Sequence, residues 1–521
     1  MAAAAGLARR VNNIEVELKL LIDPADIPRL RRHPLLKALC PSGPKTRKLT
    51  SVYFDTDDFV LKNQDIALRV RRSGRQWIQT VKGGGSVQAG LHQRDEWEEP
   101  VAHSTPDFTK IVDPGLIRLF ASDDLRQRLH SVFVTEFNRT VWLLKTEAGD
   151  QVEMALDQGE IRSDQSSATI CEVELELRVG NPAVLYELAL ALLEAVPLHP
   201  ENASKADRGY ALCAPQDAPL PVKATAPEMG CEMTVDAAFR AIAWNCIDQL
   251  QDNRNRLRQG YDPELVHQMR VAVRRLRSAL SLFGAAAQGI KDAALTAELR
   301  WLVGELGPAR DWDVFLSEML PPVVTALPRE EGLVWLHRQA EKICREKREQ
   351  ACVAAAGQRY NEIMLRLGAW LWRAPWRTTT VAADLDMPVS TFASKMLDRR
   401  CRQVSRRGRH LNALTVAQRH VLRIAVKKLR YAAEFFFGLY PGKATKRYIQ
   451  ALSRLQDEFG ALNDQAVAGT LLAQISSGSR LRDRGSGVII GWYACKTHVQ
   501  LADMAQEWKR FRHCRIFWEK G

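Results

Sequence analysis

The two halves of the chain differ in the spacing of their hydrophobic residues. Before residue 214, apolar and polar residues alternate in short stretches, which is the pattern of strands with one buried face. These stretches are Glu15–Leu21, Ile66–Arg72, Trp77–Lys82, Asp95–Glu99, Thr140–Lys145, Val152–Leu156 and Ile170–Val179. Helical insertions are predicted near Pro24–Leu39 and Pro182–Val196. We therefore expect an antiparallel sheet or barrel in this half.

A proline-rich segment separates the halves. Ala214–Met229 contains four prolines and few large apolar residues, which is typical of a linker. After it, apolar residues recur every three or four positions in a sequence dominated by Ala, Leu, Arg and Glu. This spacing predicts an all-helical region.

The helical half repeats itself. The segment HQMRVAVRRLRSALSLF at 267–283 aligns with HVLRIAVKKLRYAAEFF at 420–436, an offset of 153 residues. The same offset places a second motif, Glu305, Gly307, Asp311 and Val314, on Glu458, Gly460, Asp464 and Val467. Two motifs at one offset predict two tandem copies of a helical unit that pack as a pseudo-symmetric pair.

The composition is that of a globular protein. Of 521 residues, 46% are hydrophobic and 26% are charged, and no run of about 18 uncharged apolar residues is present. The first residues, MAAAAGLARRVNN, lack the apolar core of a signal peptide. Ten scattered cysteines without a CxxC motif fit reduced thiols better than disulfides or a zinc site. We therefore expect a cytoplasmic protein that does not act on a membrane.

The positive charge is concentrated in the helical half. Residues 1–214 contain 27 Lys and Arg against 30 Asp and Glu, whereas residues 215–521 contain 47 against 31. A strongly basic half indicates a polyanionic partner such as polyphosphate, nucleic acid or anionic lipid, although a basic surface can also serve solubility.

Charged residues share one face of several predicted strands. Glu15, Glu17 and Lys19 alternate with apolar residues, as do Arg69 with Arg71, Arg94 with Glu96 and Glu98, and Glu172 with Glu174 and Glu176. Each strand alone fits a half-solvated sheet. Taken together, the strands fit a closed barrel with the charged faces inward. Its carboxylates would bind divalent cations, and its Lys and Arg side chains would bind phosphate oxygens.

EVELK at 15–19 resembles the ExExK signature of the CYTH superfamily, the triphosphate tunnel metalloenzymes. Further blocks resemble the family in order: VYFDT (52–56), ALRVRR (67–72), WIQTVKGGG (77–85), GLHQRDEWE (90–98), FNRTVW (137–142), ALDQGEI (155–161), CEVELEL (171–177) and SKADRGYAL (204–212). The resemblance covers nearly all of residues 11–214. It implies an eight-stranded antiparallel tunnel barrel that hydrolyses or cyclises triphosphates with Mg²⁺ or Mn²⁺.

The resemblance also implies roles for individual residues. The implied metal ligands, for two ions, are Glu15, Glu17, Asp157, Glu172, Glu174 and Glu176, with Glu172 the weaker candidate. The implied phosphate-binding residues are Lys19, Arg69, Arg71, Lys82, Arg139 and Lys205. Glu17 and Lys19 are also implied as catalytic, together with Glu96 and Glu98, which would order the tunnel or the attacking water. Such a set suffices because phosphoryl transfer depends mainly on positioning and charge neutralisation.

Each copy of the helical repeat has a stripe of basic residues along one helix face. The stripes are His267, Arg270, Arg274, Arg277 and His420, Arg423, Lys427, Arg430. Stacked like charges repel, so a bound anion should compensate them; the alternatives are that Asp311, Asp464 and Glu434 do so, or that the arginines are solvated. These blocks, with GPARDWDVF and LQDEFGALNDQAV, resemble the CHAD domain, an α-helical domain associated with CYTH proteins and with polyphosphate binding.

We therefore predict an α+β multidomain fold, with an eight-stranded antiparallel β tunnel barrel followed by an all-α domain of two tandem repeats. The predicted boundaries are 11–214, a linker at 215–230, and 231–521 with repeats at about 235–380 and 388–515. The predicted activity is hydrolysis of tripolyphosphate to pyrophosphate and phosphate, with polyphosphate bound by the helical domain. The alternatives are a nucleotide or thiamine triphosphatase, a class IV type adenylate cyclase, or a non-catalytic polyphosphate-binding protein. Nucleic acid is the less favoured partner.

Overall fold

The computed structural model describes residues 14–213, 220–378, 385–461, 464–475 and 479–518. Its contacts divide the chain into two compact units. The barrel unit comprises residues 1–219 and 358–373, and the helical unit comprises residues 220–357 and 374–521. The predicted domain boundaries remain predictions. The division differs from them in one respect, because it assigns residues 358–373 to the barrel unit and not to the helical domain.

Eight strands of the barrel unit form a closed antiparallel barrel. Their order is β5-β4-β3-β2-β6-β7-β8-β1, and β5 pairs with β1 to complete the circle. A short ninth strand adds to β1. The strands are β1 Ile14–Ile22, β2 Lys45–Asp55, β3 Ile66–Ser73, β4 Gln76–Gln88, β5 Leu91–Val101, β6 His130–Lys145, β7 Gln151–Arg162, β8 Ser167–Val179 and β9 Leu198–Pro200. The predicted barrel is therefore confirmed.

Apolar strand faces pack away from the barrel interior. Leu68 and Val70 of β3 form a buried cluster with Phe120, and Phe133 of β6 forms another with Tyr210. Helices of the barrel unit cover these apolar faces and complete the clusters. Because alternate strand residues point to opposite faces, the charged residues between them point the other way. The helices of this unit are α1 Ile27–Arg31, α2 Pro34–Leu39, α3 Pro114–Leu119, α4 Asp123–Arg128, α5 Ala183–Leu193, α6 Lys205–Cys213 and α12 Gln358–Arg373. The charged strand faces are thereby left to line the interior.

Helix α12 packs against α5, although it is separated from the barrel in sequence. A Cβ atom at Gly368 would lie 2.3 Å from the Tyr186 ring, so only glycine allows this approach. Arg373 makes two hydrogen bonds of 2.7 Å to Glu187, and Gln358 donates to the Leu193 carbonyl. A helix from the predicted helical region therefore completes the barrel unit.

The helical unit consists of helices from both predicted copies. They are α7 Val235–Leu257, α8 Pro263–Phe283, α9 Ala293–Val314, α10 Leu320–Ala326, α11 Glu331–Ala356, α13 Val389–Arg407, α14 Val416–Phe435, α15 Lys443–Ala461, α16 Asp464–Gln474 and α17 Arg480–Arg512. The basic stripes lie on α8 and α14, which pack against each other. The predicted helical region is confirmed.

The described part of the predicted linker lies against the helical unit. Val222 exchanges two backbone hydrogen bonds with the Asn253 side chain, at 3.0 and 2.9 Å. The Thr225 carbonyl accepts from Arg275, and the Thr225 hydroxyl accepts from Asn245. Residues 220–229 therefore form an extended strap held by side chains, rather than a free connector.

Candidate active site

The barrel encloses a cavity of about 780 Å³ lined by both signs of charge. Nine cationic side chains contribute: Lys19, Arg47, Arg69, Arg71, Lys82, Arg94, Arg139, Arg178 and Lys205. Eight carboxylates contribute: Glu15, Glu17, Glu96, Glu98, Glu99, Glu153, Glu174 and Glu176. Every predicted metal, phosphate-binding and catalytic residue of the barrel lines this cavity except Asp157 and Glu172, which lie buried beside it.

The first charge network joins β1 to β8. Lys19 contacts Glu17 at 2.7 Å and also forms an ion pair with Glu174. Burial alone would lower the pKa of Lys19, but Glu17, Glu174 and Glu172 hold the pKa well above its usual value. Burial would raise the pKa of Glu174, but Lys19, Lys205 and Arg139 keep the pKa well below its usual range. Both groups are therefore charged in the barrel interior.

Three acidic residues form the most compact cluster among the described residues. One ligand atom each from Asp157, Glu172 and Glu174 lies within 4.8 Å of the others, and all three residues are buried. Lys205 contacts Asp157 at 2.7 Å and Glu174 at 2.9 Å, and it also pairs with Glu172. Arg139 donates to both carboxylate oxygens of Asp157. Cations of the protein thus neutralise the cluster.

The donor chemistry of this cluster fits a hard divalent cation. Mg²⁺ binds carboxylate oxygens at about 2.0–2.1 Å, so opposite ligands lie about 4.2 Å apart. The ligand atoms of Asp157, Glu172 and Glu174 lie within 4.8 Å of one another, which is on the scale of this spacing. Glu15 and Glu17 lie on β1, which pairs with β8, and Glu176 lies one alternate position beyond Glu174 and contacts Arg178 at 2.8 Å. The barrel therefore has a buried acidic cluster able to hold a metal ion.

A second network lies on β3, β4 and β5. Lys82 pairs with Glu15 and contacts Glu96 at 3.2 Å. Arg69 lies 3.6 Å from Glu96 and 3.8 Å from Glu98. Burial would lower the pKa of Arg69, but Tyr53, Glu96 and Glu98 raise it.

Arg71 differs from the other predicted phosphate-binding residues. Its Nε donates to the Ser51 hydroxyl at 3.2 Å, and within the described ranges no carboxylate lies within ion-pair distance. Burial, followed by Arg69 and Arg139, lowers the pKa of Arg71 to about 10. A bound anion would relieve this repulsion.

Some lining residues were not assigned by the sequence interpretation. Arg178 continues the Glu172–Glu176 face by one step, and Glu153 shares the face of Asp157 on β7. Arg178 contacts Glu153 at 2.6 Å. Arg94 shares the face of Glu96 and Glu98, and Arg47 lies on β2 opposite Arg139. Extending the alternating patterns by one or two positions would have found Arg178 and Glu153. Arg94 already stood in the pattern with Glu96 and Glu98 but was given no role.

The helical unit brings its two basic stripes together. Burial, followed by Arg274, Arg423, Arg430 and Arg270, lowers the pKa of Lys427 to about 7. Burial and then Arg310 lower the pKa of His267 to about 4. His420 is exposed at the first turns of α14, and Arg277 is half-buried near the end of α8.

Acidic neighbours compensate the stripes incompletely. Arg270 lies 3.7 Å from Asp311, and Arg430 lies 3.6 Å from Glu434. In the described part of the chain, Arg274, Arg277 and Lys427 form no ion pair, and the buried Nε of Arg274 has no hydrogen-bond partner. The side chain of Asp464, named above as a counterpart of Asp311, lies outside the described set.

Comparison with known domains agrees with both resemblances. The CYTH domain model matches residues 13–210, and the CHAD domain model matches residues 241–473. In solved structures, the CHAD domain from the plant Ricinus communis is 35% identical, with a TM-score of 0.50, and covers 57% of this chain and 98% of that one.

The curated proteins that are similar in sequence include the following two. An inorganic triphosphatase from Haemophilus influenzae is 32% identical over 204 residues, which cover 38% of this chain and 54% of that protein. The matching region thus spans about half the length of that triphosphatase. An uncharacterised protein of Mycobacterium tuberculosis is 25% identical over 418 residues, 74% of this chain and 76% of that protein.

Proposed function

This chain carries a CYTH domain over residues 13–210 and a CHAD domain over residues 241–473, and we propose that it is a metal-dependent inorganic triphosphatase. The proposed reaction converts tripolyphosphate to pyrophosphate and phosphate, and the proposed second role is polyphosphate binding by the helical unit. The similarity to the Haemophilus influenzae inorganic triphosphatase supports the choice of substrate.

The observation that carries the proposal is the mixed charge of the barrel cavity. Nine cations and eight carboxylates line one enclosed space among the residues described. A cavity for phosphate alone would not need the carboxylates, and a cavity for metal ions alone would not need the arginines. A triphosphate together with divalent cations satisfies both sets.

The cationic residues are proposed to bind phosphate, and the acidic residues are proposed to bind metal ions. Within the described ranges, Arg71 is the one proposed phosphate-binding residue without a carboxylate in ion-pair distance, and it is proposed to bind phosphate oxygens because an anion would relieve its repulsion from Arg69 and Arg139. The remaining proposed phosphate-binding residues then exchange carboxylate partners for phosphate oxygens: Lys19, Arg69, Lys82, Arg139 and Lys205. This exchange frees the carboxylates to bind cations.

The freed carboxylates would hold two Mg²⁺ or Mn²⁺ ions: Glu15, Glu17, Asp157, Glu172, Glu174 and Glu176. When bound, such ions neutralise the triphosphate and lower the pKa of an attacking water. Glu96 and Glu98 are proposed to orient that water, because both lie at the cavity wall, where each forms an ion pair with Arg69 and Glu96 also pairs with Lys82. The barrel then holds substrate and water in one geometry.

We predict that Glu17→Gln reduces phosphate release from tripolyphosphate by about a hundredfold or more, because it removes a carboxylate paired with Lys19. Release would be measured with Mg²⁺ and with Mn²⁺, and circular dichroism would verify the fold. Glu160→Gln is the matched control, because Glu160 pairs with Arg162 and does not line the cavity. Undiminished activity of Glu17→Gln would remove Glu17 from the site.

A substrate panel tests the alternatives. Tripolyphosphate, ATP and thiamine triphosphate would be compared on the wild-type chain, and ATP reactions would be assayed for cyclic AMP. Faster turnover of tripolyphosphate is expected. A preference for ATP, or cyclic AMP formation, would replace the inorganic substrate in this proposal.

The proposed location is the cytoplasm. All ten cysteines are free thiols, and within the described residues no helix is long and apolar enough to cross a membrane.

A further inference from the structure

Residues 198–204, which we call the junction segment, lead directly into the candidate active site. The segment begins in β9, which pairs with β1, and ends at Ser204, immediately before Lys205 at the start of α6. Ser204 and Lys205 both line the cavity, and Lys205 contacts Asp157 at 2.7 Å and Glu174 at 2.9 Å. The path of the junction segment therefore sets where the Lys205 ammonium group lies.

Hydrogen bonds hold the middle of the junction segment to β1 and to the turn before β5. The Glu201 amide donates to the Lys19 carbonyl at 3.0 Å, and the Lys19 amide donates to the Gly90 carbonyl at 2.9 Å. The Gly90 amide in turn donates to the Asn202 side chain at 2.9 Å. Because Lys19 is also a proposed phosphate-binding residue, these bonds join the backbones that carry two of the proposed substrate-binding cations.

His92 anchors the junction segment from β5. It shares its strand face with Glu96 and Glu98 and is only 2% exposed, and its Nε2 lies 3.3 Å from the Glu201 carbonyl oxygen. Because a carbonyl oxygen can only accept, Nε2 carries the proton and donates it to this bond. Burial and then Lys19 lower the pKa of His92 to about 3, so the ring is neutral.

The neutral ring of His92 is suited to holding the backbone and not to proton transfer. A general base works best when its pKa is near the working pH, and that of His92 lies far below. Within the described residues, its buried Nδ1 has no hydrogen-bond partner. The bond to Glu201 is therefore the contact that fixes both the ring and the junction segment.

Helix α12 anchors the start of the junction segment. The Asn361 side-chain nitrogen lies 2.7 Å from Nδ1 of His199, and Asn361 is fully buried. His199 lies on β9, opposite Leu21 of β1. Asn361 belongs to residues 241–473, which the CHAD domain model matches, yet α12 is part of the barrel unit. A side chain from the CHAD region thus holds the segment that leads to Lys205.

We propose that the junction segment positions Lys205 for substrate, and that His92 and Asn361 are its positioning residues. Neither side chain touches the substrate; each acts through the backbone of the junction segment. The inference rests on the proposed triphosphatase function and adds two residues to its site. Phosphoryl transfer depends mainly on positioning, so a shift of about 1 Å at Lys205 is enough to slow the reaction severalfold or more.

Variants of His92 test the first anchor. His92→Leu removes the donor and should reduce kcat/KM for tripolyphosphate by about tenfold or more. His92→Gln should stay within about threefold of wild type, because the glutamine amide places a donor near the position of Nε2. His103→Leu is the matched control, since His103 is exposed and does not line the cavity, and it should leave kcat/KM unchanged. Wild-type activity of a folded His92→Leu variant would overturn the role of His92.

A double-mutant cycle tests whether His92 acts through Lys205. In the Lys205→Met background, His92→Leu should cost less than about a further twofold, because the cation that it positions is gone. Tripolyphosphate affinity, measured by calorimetry in EDTA, supplies the same cycle without requiring turnover, and circular dichroism verifies folding. An equal loss in both backgrounds would show that His92 does not act through Lys205 and would overturn the proposal.

Asn361→Leu tests the second anchor. It removes the bond to His199 and should reduce kcat/KM by about threefold to tenfold. Arg373→Gln is the matched control, because it removes hydrogen bonds from α12 to Glu187 of α5 and does not touch the junction segment. This control should stay within about twofold of wild type. Equal losses from both variants would indicate a general loosening of α12 and would overturn the role of Asn361.

Binding and hydrolysis together separate this inference from the proposed function. If wild type hydrolyses tripolyphosphate and both His92→Leu and Asn361→Leu are equally active, the junction segment has no positioning role and the proposed function stands. If wild type binds tripolyphosphate in EDTA but does not hydrolyse it with Mg²⁺ or Mn²⁺, the proposed function fails. Weaker binding by His92→Leu would then still support the positioning of Lys205.

Discussion

Single charged side chains are stabilised in opposite ways in the two units. In the barrel, Lys19 and Glu174 form an ion pair. Against the effect of burial, Glu174 raises the pKa of Lys19 and Lys19 lowers the pKa of Glu174, so both stay ionised. In the helical unit, burial and then the surrounding arginines lower the pKa of Lys427 to about 7. A ligand must therefore displace partners in the barrel, whereas in the helical unit it supplies a missing counter-charge.

Lys427 should make polyphosphate binding depend on pH. With a pKa of about 7 it is partly neutral at physiological pH, and a bound anion favours its protonated form. Affinity should therefore fall as pH rises from 6 to 8.5, with proton uptake on binding. Calorimetry in buffers of different ionisation enthalpy would measure that uptake.

Lys427→Arg is the matched control, since arginine stays charged across this range. Its polyphosphate affinity should be nearly independent of pH. The sign for stability is opposite: the unfolded chain keeps the Lys427 proton up to about pH 10, so folding stability should rise between pH 7 and 10. A wild-type affinity that does not change over this range would contradict the role of Lys427.

Two helices show how local space decides the effect of one methyl group. Gly368 of α12 faces the Tyr186 ring, whereas Gly304 of α9 has no atom within 4 Å of an added Cβ. Both glycines lie inside helices, where alanine is intrinsically favoured by about 0.5–1 kcal/mol. Only the contact at Tyr186 distinguishes them.

Gly368→Ala should destabilise the barrel unit by about 1–3 kcal/mol, because the methyl group overlaps the Tyr186 ring. Gly304→Ala should stabilise the helical unit by about 0.5–1 kcal/mol. Urea unfolding, followed separately for each transition, measures both changes. Stabilisation by Gly368→Ala would show that α12 does not pack on α5 this closely.

The chain as a whole is not divided as its sequence order suggests. Helix α12 belongs to the barrel unit, although the segments before and after it, Leu220–Gly357 and Ala374–Gly521, belong to the helical unit. Eight of the eleven residues of α5 are buried, and α12 covers part of that surface. Cutting the chain after residue 219 would therefore expose apolar surface.

We predict that residues 1–219 expressed alone bind a hydrophobic dye and unfold at lower temperature than the barrel unit of the full chain. Joining residues 358–373 to this fragment through a flexible linker should restore much of the loss. Dye fluorescence and thermal unfolding measure both effects. A fragment that behaves like the intact unit without α12 would refute the structural role of this helix.

The recurring patterns in the sequence were sufficient to assign strands to the first half of the chain and helices to the second. Alternation over Glu15–Leu21 and Ile170–Val179 reflects the two-residue period of a strand, and the stripes on α8 and α14 reflect the helical period. These periods depend on local backbone geometry, so they can be read without knowing the fold. The charged face of each strand was identified in the same way.

Contacts between residues that are distant in the sequence could not be predicted from these patterns. The cluster of Asp157, Glu172 and Glu174 requires β7 to pair with β8 in one register, because that register sets Asp157 opposite Glu172. The packing of α12 against α5 depends on the close contact between Gly368 and Tyr186, which are far apart in sequence. Neither contact leaves a periodic signal.

The sequence by itself determined the alternating strands, the basic helical repeat and which side chains carry charge, because these follow from periodicity and residue type. Closure of the strands into an eight-stranded barrel was implied by the resemblance to the CYTH superfamily. The tertiary structure decided which charges meet. It placed cations among carboxylates in the barrel. In the described part of the helical unit, it left Arg274, Arg277 and Lys427 without an ion pair, while Arg270 lies near Asp311 and Arg430 near Glu434. Electrostatic energy depends on distances between residues remote in the chain, and only folding sets those distances.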